Sequence, residues 1–408
     1  MRPEEFDSNA PGRLIRSPGG HWTFEPVPLP PQWIADLSLM RQLSEADQAL
    51  GQLAGVGRML PNPHLLIGPF VRREAVLSSR IEGTVTRLDQ LFLFETRANE
   101  TADPSDVAEV VNYVRALELG LQRLREGMPL CLRLLREVHA KLLEGVRGAD
   151  KRPGEFRSRE VMIGRQEQSP VDARFVPPLH TELTRLLGDF ERFLNVPGEL
   201  PVVVQLAFAH YQFETIHPFT DGNGRVGRLL ITLMLCERGC LPQPLLYLSA
   251  YFERHDQEYK DRMLEVSHRG AWAEWVQFFA RGVAEQAHDA TQRAIRLLDL
   301  WQDYRRKVGE IARSAAALRL VDELFATPFL TITRAAELLG ITFPAAQNNI
   351  ERLVEAGLLR EITGKQRNRI YLADEVLASL DDPLGPPTPP PNPDESPASG
   401  PRPPAPSL

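Results

Sequence analysis

The stretch 217-HPFTDGNGRVGRLLITLMLCERG-239 decides how this chain is read. A short loop holding Asp221, Gly222, Asn223 and Gly224 runs into an apolar helix that starts near Arg225 and turns Leu229, Leu230, Leu233 and Leu235 toward a core. Residues without a Cβ at a helix start let backbone N–H groups approach a ligand closely, and the helix dipole adds positive potential there. The loop is therefore an anion cradle. Arg225 and Arg228, three apart, leave nearly the same helix face, so two guanidinium groups can flank a polyphosphate. Asp221 offers a hard oxygen where a Mg²⁺ shared with phosphate oxygens would sit. His217 is the side chain here that takes a proton near neutral pH without a large shift. Together these residues specify transfer of a group from a nucleotide to a hydroxyl.

Outward from this stretch, helical periodicity dominates and predicts an all-α body. In residues 104–127, Val107, Val110, Val111, Val114, Leu117, Leu121 and Leu124 form one apolar stripe behind a Pro-Ser-Asp start signal. Similar stripes run through 129–145, 178–195, 200–215, 223–238 and 256–268, and a long helix is expected around 271–306. The exception is 153–178, where Val161 and Ile163, a polar turn, then Phe175 and Val176 read as a β-hairpin. Residues 1–31, rich in Pro and Gly, read as an extended arm, and 32–100 as an N-terminal helical region. Residues 310–376 read as helix, helix-turn-helix and strand pair, the order of a winged helix-turn-helix.

The 408 residues allow two or three domains. A net charge of −7 excludes nucleic-acid binding by bulk positive charge. Of the 35 prolines, 12 fall in residues 383–408, a low-complexity tail expected to be disordered. Three cysteines are too few for a disulfide framework. With acidic residues at the N-terminus in place of an apolar signal segment, and no membrane-length apolar run, the expectation is a cytoplasmic protein with no membrane partner.

HPFTDGNGRVGR resembles the HxFx(D/E)GNGRxxR motif of the Fic domain family at every fixed position. The resemblance implies a Fic-type helical bundle over about 30–305, with 101–305 as the catalytic domain. It implies an enzyme that transfers AMP from ATP, with Mg²⁺, to a hydroxyl side chain of a target protein. By position, His217 would be the base, Asp221 the metal ligand, and Gly222, Asn223 and Gly224 the anion hole. Arg225 and Arg228 would contact the β- and γ-phosphates, with Gly227 inside the same motif. The hairpin becomes a flap, with Val161, Ile163 and Gly164 on the strand that would pair with the target.

Upstream, Ser78, Glu82 and Gly83 match the family's inhibitory (S/T)xxxE(G/N) pattern, which implies that Glu82 competes for Arg228. By spacing alone, the same residues also describe a helix end capped by Gly83. Tyr259 matches the first of a Tyr-Tyr pair that closes over the nucleotide, with Lys260 in place of the second. Plain helix packing is the other reading of Tyr259. In the C-terminal module, Gln347, Asn348 and Asn349 open the second helix of the turn, and Lys365, Arg367 and Arg369 gather in the wing. DNA binding, in a regulator whose core senses nucleotide, and protein contact or dimerisation are the two readings of that module. Related proteins are often homodimers.

Overall fold

A computed structural model describes residues 1–59, 63–96, 105–164, 172–195, 199–311 and 314–381. The tail 383–408 lies outside the described residues. A central pair sets the architecture: α7 (Val202–Ile216) and α8 (Asn223–Glu237) pack against each other through the loop that carries the motif. Thirteen of the fifteen residues of α7 are buried, which is the mark of a helix surrounded on all faces. Around the pair stand α4 (Ser105–Arg125), α5 (Leu132–Leu142) and α6 (Leu183–Asn195), each burying one stripe. In α6 that stripe is Leu183, Leu186, Leu187, Phe190 and Leu194. At Gly120 of α4 an added Cβ would meet Leu233 at 2.9 Å, so the missing side chain sets the close crossing of α4 and α8.

The helix α11 (Trp272–Ile311) is the spine of the molecule. It packs on α1 (Leu37–Met59) along its length and also touches α7, α9 (Ser249–Arg254) and α10 (Asp256–Arg269). Trp275, fully buried in α11, donates its indole N–H to the Ala207 carbonyl of α7 at 2.8 Å. The helix α2 (Pro63–Ile81) lies across α4 and α9, and the short α3 (Leu88–Thr96) follows it.

At the C-terminal end, α12 (Ala315–Ala326), α13 (Ile332–Leu339) and α14 (Phe343–Glu355) come in the expected order. They carry a three-stranded antiparallel sheet, β3 (Phe329–Thr331), β5 (Ile370–Leu372) and β4 (Arg360–Glu361) in spatial order. The strand β3 and the last helix, α15 (Asp374–Asp381), are absent from the sequence reading. Three residues are too few to show a period. The module docks on α2 through α12 and α15.

Residues 12–26 differ from the expectation of an extended arm. β1 (Gly12–Arg16) and β2 (Trp22–Pro26) form an antiparallel hairpin with Leu14 opposite Phe24. Ser17-Pro-Gly-Gly was the local turn signal, and its flanking alternation was too short to stand out. The expected hairpin of 153–178 is reduced, among the described residues, to a single antiparallel bridge between Ile163 and Phe175.

Candidate functional site

The motif loop is held from three sides. His217 ends α7 in the left-handed region, at φ 51°, and its Nδ1–H donates to the Glu214 carbonyl at 3.2 Å. That bond leaves Nε2 as the free acceptor. Burial pushes the imidazole down to about 4, only partly offset by the Glu214 carbonyl, so His217 is neutral at pH 7. Asn223 staples the loop: its Oδ1 accepts from Phe219 N and its Nδ2 donates to Phe219 O, both at 2.9 Å. Gly222 caps α8 with φ 78°, a conformation that disfavours any Cβ.

Two residues that the sequence reading missed fix this loop. His139, on α5, accepts from Gly154 N at Nδ1 (2.8 Å), so its Nε2–H donates to the Asp221 carbonyl (2.9 Å). Its ring stacks on Phe219 at 3.8 Å. Arg157, buried at the foot of the flap, donates to the carbonyls of His217 (2.8 Å), Ile216 (3.3 Å) and Pro178 (2.6 Å). Local spacing gives no sign of either, because their partners lie 15 to 82 residues away.

The arginines of α8 part company. Arg225 is fully buried and donates to Glu109 of α4 at 3.2 Å, with Asp221 at 3.7 Å. Glu109 is itself 1% exposed and also pairs with Arg147. A buried carboxylate on α4 thus engages the first of the two guanidinium groups, while Arg225 Nε has no partner among the described residues. Arg228 is as buried, and the segment from Ser78 to Glu82 claims it. Its Nε donates to Ser78 Oγ (2.8 Å), and its Nη2 donates to Ser78 O (3.0 Å) and Glu82 Oε1 (2.7 Å). Burial acts to raise the Glu82 carboxyl, but the charge and hydrogen bonds of Arg228 outweigh it, so Glu82 stays below its ordinary range.

The position of Glu82 matters as much as its partner. A Cβ built on Gly224 would fall on Glu82 Oε1 and lie 3.0 Å from Arg228 Nη1. The carboxylate thus rests over the first turn of α8, where backbone N–H groups lack intrahelical acceptors. Gly83 closes the segment at φ 88°, so the helix-end reading also holds. At Gly227 a Cβ would collide with Glu214 Oε1, a buried oxygen with no hydrogen-bond partner among the described residues. Burial raises Glu214 to about 8, so it carries its proton at neutral pH.

The half-exposed carboxylate of Asp221 accepts from Gly222 N at 2.6 Å. Among the described residues no group of three or more His, Cys, Asp or Glu side chains could hold a metal by itself. A lone carboxylate beside a phosphate cradle nevertheless fits Mg²⁺, which takes one or two carboxylates and fills its shell from phosphate and water. Val161 and Ile163 are half-buried and Gly164 is exposed, on the leg of the flap that bridges to Phe175.

Two expectations are corrected. Tyr259 is 3% exposed and stacked on Phe252 at 4.5 Å, with its hydroxyl on His210 Nε2 at 2.7 Å. It has no free face for a base, so the packing reading holds. Asn349 is buried, donating to Ala345 O at 2.8 Å and bonded to Ser314 Oγ at 3.2 Å, so its amide is not free to read a base edge. Gln347 pairs with Glu351 at 2.8 Å.

Residues 40–122 match the Fic/DOC family N-terminal domain, and 129–235 match the Fic/DOC family domain. The chain carries the two domains of the Fic/DOC family. It is 32% identical over 174 residues to protein adenylyltransferase Fic of Culex quinquefasciatus, covering 42% of this chain and 29% of that protein. The protein of the same name in Drosophila melanogaster is 31% identical over 166 residues, 40% of this chain and 32% of that one. The chain thus spans about a third of the length of these curated relatives. A Fic family protein from Desulfovibrio desulfuricans G20 shares the fold, with a TM-score of 0.56 over 85% of this chain and 98% of that one at 19% identity. Among the described residues no helix is long and apolar enough to cross a membrane.

Proposed function

We propose that this chain is a protein adenylyltransferase, moving AMP from ATP to a Ser, Thr or Tyr hydroxyl of a target protein, and that Glu82 holds it idle. One observation carries the reading: a carboxylate of the chain itself lies over Gly224 while paired with Arg228. It stands where phosphate oxygens would bind a helix start backed by a guanidinium. The names of the relatives at 31–32% identity support the class.

In the reaction, neutral His217 accepts the proton of the target hydroxyl at Nε2. The hydroxyl oxygen forms a bond to the α-phosphorus as the bond from that phosphorus to its bridging oxygen breaks, and pyrophosphate leaves. The N–H groups of the first turn of α8, with Gly222 and Gly224 leaving room, stabilise the charge on the phosphate oxygens. Asp221 would hold Mg²⁺, which when bound neutralises phosphate charge. Arg228, freed from Glu82, holds the γ-phosphate, while Arg225 acts through Glu109 by fixing the loop. The flap leg Val161–Gly164 aligns the target backbone by adding it as a strand.

Intact-mass spectrometry of lysate proteins incubated with the Glu82→Gly chain, ATP and Mg²⁺ tests this reading. It predicts AMP adducts that fall about 10²- to 10⁴-fold with His217→Ala in the same background. Adducts of phosphate alone, or none, would defeat it.

A further inference from the structure

Among the described residues one bridge, Ile163 to Phe175, joins the legs of the flap, and a two-stranded pair without further support is at best marginal in water. Its support comes from the far end of the chain. Phe24 of β2 donates its backbone N–H to the Val176 carbonyl at 3.0 Å, while the neighbouring Phe175 exchanges hydrogen bonds with Ile163 on its other side. The leg 173–176 therefore has one edge covered by the N-terminal hairpin and the other by the leg at Ile163. Beneath it, Met1, Phe24, Ala173, Phe175 and Val176 form a small apolar core separate from the main one. Phe24 is fully buried there, its ring 5.8 Å from Phe175. The other leg is tied as well: His21 Nε2 meets Glu160 at 2.8 Å, and Ser17 Oγ meets His21 Nδ1 at 3.0 Å.

The N-terminal segment is in turn fixed to the catalytic body. Asp7 N donates to the His268 carbonyl of α10 at 2.9 Å, and Gln212 of α7 donates to the Val27 carbonyl at 3.0 Å. Glu25 pairs with Arg185 of α6. We propose that residues 1–27 are a brace for the flap, with Phe24 and His21 as positioning residues that hold its two legs beside His217. The backbone of β2 removes one edge of the flap from competition, so an incoming segment finds the Val161–Gly164 edge and not the other. The functional side of this inference rests on the transferase reading above, whereas the bracing itself does not.

The test uses the full-length chain in the Glu82→Gly background, with His21→Ala, Phe24→Ala and Phe24→Leu. Amide hydrogen exchange at Ile163 and Phe175 is expected to rise at least tenfold with Phe24→Ala, to rise less with His21→Ala near Glu160, and to return toward normal with Phe24→Leu. Affinity for MgATP should not change. With a lysate protein that the Glu82→Gly chain labels as acceptor, Phe24→Ala should raise KM for that acceptor several-fold at unchanged kcat. Unchanged exchange overturns the brace. A joint loss of MgATP binding, or a fall in kcat alone, overturns the positioning role. If the Glu82→Gly chain labels nothing, the transferase reading fails and exchange still decides the brace.

Discussion

Arg225 and Arg228 sit one turn apart on α8, both about 2% exposed, both facing a glutamate, and their surroundings have little else in common. Glu109, the partner of Arg225, is 1% exposed and sits on α4, a core helix. Glu82, the partner of Arg228, is about a third exposed and sits just beyond the end of α2, over the mouth of the cradle. The first pair is part of the fold. The second lies over Gly224, where the proposed function puts phosphate. A buried carboxylate left alone is costly, whereas one that turns into water is not.

The largest effect should follow from breaking the inner pair from the arginine side. Arg225→Ala leaves Glu109 buried with Arg147 and the Thr84 hydroxyl and should cost about 3–5 kcal/mol, read as a fall in Tm of roughly 5–10 °C. Glu82→Gln, by contrast, keeps an oxygen acceptor for the buried Arg228, which also holds Ser78 Oγ and Ser78 O, so it should lower Tm less than Arg225→Ala does. Equal shifts from the two substitutions would erase the distinction between a structural and a closing pair.

Ser78→Ala sharpens the outer side. It removes the oxygen that accepts from Arg228 Nε, a bond worth roughly 1–2 kcal/mol when the donor is charged, so labelling by the otherwise wild-type chain should rise several-fold. Labelling no higher than wild type would mean that Ser78 does not help to hold Arg228 closed.

The pH dependence should be smaller still. Glu82 is held below its ordinary value, so its contact with Arg228 is fully present above the unfolded carboxylate value and is lost only as pH falls through the lower folded one. The ratio of Glu82→Gly to wild-type labelling should therefore be flat from pH 6 to 8. With His217 near 4, the acid limb of the Glu82→Gly rate should fall near pH 4–5 and not near 6.5. The least effect is expected of Glu214→Gln, because the carboxyl already carries a proton at neutral pH. Its Tm should stay within about 2 °C and its labelling within about twofold of the parent chain.

The sequence made the motif helix and most of the body legible, because a 3.6-residue stripe and a glycine-rich helix start are local patterns. The apolar stripe predicted over 104–127 is α4 at 105–125, and the stripe at 223–238 is α8 at 223–237. The link from Glu82 to Arg228, 146 residues away, followed from a family pattern and not from spacing, whereas the bond from Arg228 to Ser78 was not foreseen, Ser78 being expected to steady Glu82. What stayed hidden were the partners that fix the loop. Glu109 is one charge among many on α4, His139 is a lone histidine on a stripe, and Arg157 looks like any flap arginine. Each acquires meaning only when a distant carbonyl or guanidinium is brought to it. The same limit left Tyr259 open between a base clamp and plain packing, which the His210 and Phe252 contacts decide.

The outer pair is also where the account is most exposed to a single measurement. Wild type, Glu82→Gly and Glu82→Gly with His217→Ala are incubated with protein acceptors and either α-labelled or γ-labelled ATP. Transfer of the α label is predicted to rise at least about tenfold from wild type to Glu82→Gly, to disappear with His217→Ala, and to occur without transfer of the γ label. An α-label signal in Glu82→Gly no higher than in wild type would contradict the claim that Glu82 keeps phosphate out of the cradle.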